Sequence, residues 1–88
     1  MDYIDETFFN IEKEHYRLVN EYIMGIIKIE EVNNFAKTLE EFRISLENVK
    51  IDEKNLLKIA KIKSKIQHYN TEIVEDEEVL KIAYSNNF

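Results

Sequence analysis

The stretch Tyr16-Arg17-Leu18-Val19-Asn20-Glu21-Tyr22-Ile23-Met24-Gly25-Ile26-Ile27-Lys28-Ile29-Glu30-Glu31-Val32 decides the fold. Leu18, Tyr22 and Ile26 recur at four-residue spacing, with Val19 and Ile23 beside them, so they draw one apolar stripe along a helix. Gly25 stands where a left-handed helix cap is expected. Glu30 and Glu31 then open a second helix with acids, which the helix dipole favours in a first turn. A helix, a tight turn and a new helix are antiparallel neighbours.

Working outward, the first stripe extends back through Phe8, Ile11 and His15, which gives a helix over about 5–24. Val32, Phe35, Ala36, Leu39, Phe42, Leu46 and Val49 carry a second helix over about 30–48, with Asn48 as its stop. Asp52 is a good N-cap for a third helix reaching Tyr69. In it Leu56, Ile59, Ala60 and Ile66 face inward, with Leu57 and Ile62 near the edge. Residues 70–74, Asn-Thr-Glu-Ile-Val, read as an extended connection that Ile73 and Val74 pin to the core. A short fourth helix over about 76–85 has an apolar side of Val79, Leu80, Ile82 and Ala83. The expected fold class is all-α: one domain over 1–88, a small antiparallel three- to four-helix bundle.

Composition agrees. The 88 residues include no Pro and one Gly, so most helix breakers are missing. The hydrophobic fraction of 44% against a charged fraction of 34% is the balance of a folded chain, not a disordered one. Absent Cys excludes a disulfide-stapled domain. The acidic start Met1-Asp2-Tyr3-Ile4-Asp5-Glu6 is not a secretory signal, and the longest apolar stretch, 23–27, is far too short for a membrane span. A cytoplasmic protein without membrane contact is therefore expected.

Charge is uneven along the chain. Residues 1–49 hold eleven acids and five bases, residues 50–70 two acids and six bases, and residues 71–88 five acids and one base. The third helix is thus a basic rod in a chain of net charge −6. Lys54, Lys58, Lys61 and Lys65 share one helical face. Without interleaved Arg or aromatics they read as a solvated face paired with acids of neighbouring helices, and direct nucleic-acid binding is not expected. The acids form two groups: Glu40, Glu41 and Glu47 outside the second helix, and Glu72, Glu75, Asp76, Glu77 and Glu78 around the start of the fourth. They suit solubility, and also a basic protein partner. Tyr22 reads as core. Tyr69 and Tyr84 flank the acidic cluster and read as interface anchors, since tyrosine buries large area at little entropic cost.

No catalytic constellation emerges, and none of the motifs that hold a cofactor. A single glycine cannot build a phosphate loop, and no serine sits in a Gly-flanked elbow. Glu12 and His15 form one Glu-x-x-His step, but a di-iron bundle needs a second, and His68 is preceded at that spacing by Lys65. His15 on the apolar stripe reads as a core or boundary histidine. A non-catalytic protein without metal or cofactor is expected.

The hairpin 16–32 resembles the N-terminal half of colicin D-type immunity proteins and related contact-dependent-inhibition immunity proteins. The ending Val74-Glu75-Asp76-Glu77-Glu78-Val79-Leu80-Lys81-Ile82-Ala83 is similar to their acidic-start final helix. The resemblance implies a small cytoplasmic helical protein that binds a toxic nuclease domain and fills its basic groove with acids. Of the acids here, only 75–78 lie within a matching patch. Glu40 and Glu47 are added from their surface position, and Tyr69 from its place beside the cluster. The expected contact set is Glu40, Glu47, Tyr69, Glu75, Asp76, Glu77 and Glu78. The alternative is a phage- or plasmid-type adaptor binding host transcription or regulatory proteins through the same surface. The first helix has a stripe wide enough to be shared between chains, so a monomer or weak homodimer is expected.

Overall fold

A computed structural model describes residues 2–86, with side chains through residue 84. Four helices and no strand are found among them: α1 (Tyr3–Met24), α2 (Ile29–Glu47), α3 (Leu56–Tyr69) and α4 (Glu77–Asn86). A wide π turn, Asn70–Val74, joins α3 to α4. The chain is a small all-α bundle, as its pattern predicts.

Local chemistry sets the helix ends. The Asp2 carboxylate accepts from the Asp5 N–H at 2.9 Å and caps α1. At the other end Gly25 adopts φ 71°, a left-handed conformation that side chains with a Cβ rarely take. Gly25 N–H donates to the Tyr22 carbonyl and Ile26 N–H to the Glu21 carbonyl, the paired bonds of a Schellman motif. The reversal shifts the apolar phase by one residue. Ile27, not Ile26, drops into the core, and Ile26 is half-exposed. Beyond α2, Asp52 accepts from the N–H groups of Lys54 and Asn55, while the Asn55 side-chain oxygen accepts from Asp52 N–H. Asp52 therefore caps a lead-in turn, and regular α3 starts one turn later than expected.

Pairings across the core fix the arrangement. Phe8 stacks on Phe42, and His15 lies beside Phe35, so α1 and α2 run antiparallel. Lys58 meets Asp5, the Tyr69 hydroxyl meets Glu12, and Glu78 meets Tyr22, which sets the path from α3 to α4 along α1 in the same direction. The result is a three-armed bundle 49 × 19 × 16 Å, whose third arm is α3, the π turn and α4. The core holds Leu18, Leu46, Ile27 and Ala83 at zero exposure, with Phe8, Ile11, Val32, Phe35, Leu39 and Phe42 close behind. Truncating any one of the large aliphatics to Ala costs about 2–5 kcal/mol, against a total stability of only about 5–15 kcal/mol for a domain.

The sequence pattern misassigns four features of the third arm and its surroundings. Residues 70–74 are helical rather than extended, with the Glu75 N–H reaching back five residues to the Asn70 carbonyl at 2.9 Å. Ile62 is buried, whereas Leu56 and Ala60 are exposed. Starting α3 at Leu56 instead of Asp52 leaves Leu56 on the first, open turn. Tyr22 is half-buried, with its hydroxyl at the surface rather than in the core.

Candidate functional site

The most distinctive corner of the molecule is where the π turn hands over to α4 beside the C-terminal half of α1. A π turn fits one extra residue into the helical path, and such turns recur at functional positions. Here it buries Ile73 while placing Glu72 against α1. The Glu72 Oε2 lies 3.2 Å from His15 Nε2 and 3.0 Å from His68 Nε2, so two imidazoles share one carboxylate oxygen. His15 is almost fully buried, and its ring stacks on Tyr69 at 4.0 Å. With Nε2 donating to the carboxylate, the proton sits on Nε2, and the buried Nδ1 lone pair has no partner among the described residues. Burial holds the His15 pKa below the ordinary histidine value, opposed by the Glu72 carboxylate. The imidazole is therefore neutral at pH 7.

Three of the remaining acids of this corner are anchored by hydrogen bonds. Asp76 caps α4 by accepting from the N–H groups of Glu78 (2.8 Å) and Val79 (3.0 Å). Glu78 accepts from the Tyr22 hydroxyl at 3.1 Å, which pushes the phenol pKa up. Glu75 accepts from the Asn70 side-chain amide at 2.8 Å. Glu77, in the first turn of α4, is exposed. A groove of about 350 Å³ runs between α1 and this corner, lined by Val19, Tyr22, Ile23, Glu72, Asp76 and Val79 among others. Ile23 at its lip is 74% exposed.

Glu40 and Glu47 lie elsewhere. Both clasp Arg43 on the outer side of α2, at 2.6 Å and 2.7 Å. The guanidinium holds the Glu40 carboxyl below its ordinary range. They edge a second groove, of about 420 Å³, with Lys63, Ile66, Gln67 and Asn70. Two carboxylates around one guanidinium, with a lysine close by, leave little net charge there. Of the expected contact residues, Asp76, Glu77 and Glu78 thus stand together, Glu75 faces Asn70 between the two grooves, and Glu40 and Glu47 are separate.

Tyr69 is corrected outright. It is 5% exposed, stacks on Phe8 and His15, and donates its hydroxyl to Glu12 at 3.0 Å. Burial and that carboxylate push its pKa far up. It is a core residue with a satisfied polar tip, not an interface anchor. Tyr84 is 53% exposed. The sequence places Glu72 in the acidic cluster but outside the expected contact set, reads Ile23 as part of the apolar stripe, and gives His68 no part in the site. Glu72 follows His68 by four residues, a pairing that becomes visible once 70–74 is read as helix.

Of the four lysines expected to pair with neighbouring acids, Lys58 and Lys65 do so, and Lys54 and Lys61 have no ion pair among the described residues. Lys58 bonds Asp2 at 3.1 Å and Asp5 at 2.9 Å, and Lys65 stands 3.9 Å from Glu12. Glu12 and His15 do not converge on one point, since each faces a different partner. Among the described residues no group of three His, Asp or Glu side chains has the geometry to hold a metal ion. No described helix is long and apolar enough to cross a membrane. No family model, curated protein or solved structure matches the chain.

Proposed function

We propose that the protein is a non-catalytic binding module of the toxin-immunity kind, which covers the basic surface of a partner, a nuclease toxin domain, with the acidic corner at the start of α4. One observation carries the reading. Asp76, Glu77, Glu78 and Glu72 stand together beside an apolar groove with Ile23 at its lip, on a corner held by the buried Ile73. An apolar anchor ringed by acids suits a basic, partly apolar protein surface better than it suits a small substrate. Complementary charge speeds such an encounter and suppresses wrong partners. Among the described residues, the shared partner of His15 and His68 is a carboxylate.

The test is capture of the partner from the native cell with a tagged protein, identification by mass spectrometry, and repetition with Glu77→Lys/Glu78→Lys. A small basic nuclease recovered in one-to-one ratio, and lost with the charge-reversed variant, supports the reading. Recovery of a transcription or regulatory component instead moves the protein to the adaptor class. Retention of the nuclease by a folded Glu77→Lys/Glu78→Lys protein refutes the proposed surface.

A further inference from the structure

We infer that the outer face of α1 is a self-association surface, on which a second copy of the chain docks its own α1 antiparallel about a two-fold axis at Tyr16. Phe9, Tyr16 and Ile23 are 54%, 59% and 74% exposed, and they recur at i, i+7 and i+14. That is one heptad position repeated along α1, which sets the three side chains in a line along the helix, with Glu12 and Val19 between them. Val19, half-buried, fills one of the intervening positions. Because Tyr16 lies midway between Phe9 and Ile23, an antiparallel copy sets Phe9 on the partner's Ile23, Ile23 on the partner's Phe9, and Tyr16 on its own symmetry mate. A self-complementary patch of this kind is what a two-fold interface demands.

Charge selects both the occupant and its direction. The third arm runs beside the seam, basic at one end and acidic at the other. Near Phe9 the flank carries Lys58, Lys61 and Lys65; near Ile23 it carries Glu72, Asp76 and Glu78. Lys58 and Lys65 are partly answered by Asp2, Asp5 and Glu12, whereas Lys61 has no ion pair among the described residues. An antiparallel copy brings this lysine end against the partner's acidic end, twice, by symmetry. A parallel two-fold copy puts the two third arms on opposite sides of the helix pair and gains no such pairing. A 22-residue helix is about 33 Å long, which bounds the seam. The dimer forms in a concentration-dependent way. It places no demand on the identity of any toxin, but it covers Ile23 and the acids Glu72, Asp76 and Glu78, so a dimer and a partner bound at the acidic corner compete for that face.

The test uses the full chain alone. Sedimentation equilibrium over a broad concentration series gives a mass rising from one chain to two. Tyr16→Glu removes the rise while the helical circular-dichroism signal stays. The chain has no cysteine, so single cysteines report the register cleanly. Phe9→Cys and Ile23→Cys chains mixed under mild oxidation form the mixed disulfide dimer, and Tyr16→Cys links to itself. Lys61→Glu weakens the association. A mass of one chain at every concentration overturns the proposal. So does an efficient Phe9→Cys self-link without the mixed product, which reports a parallel pair, and so does unchanged association of Lys61→Glu.

Discussion

The two halves of the third arm, α3 below and the π turn with α4 above, follow one another along α1 but handle charge in opposite ways. Along α3 Lys58 and Lys65 meet carboxylates of the same molecule, so part of the basic charge is neutralised where it stands. Around the π turn and the start of α4 the acids are held by neutral groups. Asp76 takes two backbone N–H donors, Glu78 a phenol, and Glu75 an amide. A hydrogen bond from a neutral donor fixes a carboxylate without cancelling its charge. The upper half is therefore ordered and still negative, which is the state a docking surface requires. A raw count of acids does not reveal this difference, because Glu40 and Glu47 count equally and yet share Arg43.

The sharpest way to break the comparison is to remove what holds the upper half in place. Ile73 is the buried residue of the π turn, at 2% exposure. Ile73→Ala should cost about 2–5 kcal/mol, a large part of the stability of a domain this size. Urea unfolding followed by circular dichroism measures it. A loss no greater than that of a surface Ile→Ala change such as at Ile44 would mean that the π turn is a loosely attached linker. The acidic corner would then be ordered by something else.

The contrast also explains what was legible in the sequence. The α1–Gly25–α2 hairpin was readable because stripe, cap and first-turn acids agree with one another. The stripe fails at its C-terminal end: Tyr22 is half-buried, Ile23 is exposed, and beyond the left-handed Gly25 the phase shifts so that Ile27 replaces Ile26 in the core. Residues 70–74 were misread because Thr71, Ile73 and Val74 favour extended backbone, while burial of Ile73 and the Thr71 hydroxyl bond to the Gln67 carbonyl favour helix. Tertiary packing won. Tyr69 was misplaced for the same reason: with the next five residues helical, its ring turns into the core instead of ending at the surface. The sequence shows Glu72 in the acidic cluster but not its contact with His15, which lies 57 residues away, because no local pattern reports such a pairing.

A smaller effect separates the two imidazoles bound to Glu72. His15 is buried and its pKa lies below that of the unfolded chain. The unfolded state therefore binds more protons than the native one between the two pKa values. Stability contributed by the neutral His15 is complete above about pH 6.5 and is lost as the pH falls from there through the folded pKa. His68, 69% exposed in its side chain, supplies the control. Urea midpoints from pH 7.5 to 5.5 should decline in the parent chain and in His68→Gln, and decline less in His15→Phe. A parallel decline in all three would assign the effect to carboxylates, and not to the buried imidazole.

The smallest effect tests the lower half. Lys58 joins Asp2 and Asp5, and the pairing raises its pKa, first through the hydrogen bond to Asp5. All three side chains are more than a third exposed or at that limit, so water and salt screen the attraction. Lys58→Met keeps the alkyl stem that lies in the groove with Phe8 and Ile62 and removes only the charge. It should move Tm by less than about 2 °C, and less still at high salt. A larger loss would show that the lysines of α3 clamp α1 to the third arm. The neutralised half of the arm would then be a structural brace, and the ordered acids above it would depend on that brace. If the change is as small as expected, the lower half is held by Ile59, Ile62, Ile66 and Tyr69 packing into the core, and its charges are left to tune how the surface meets another molecule.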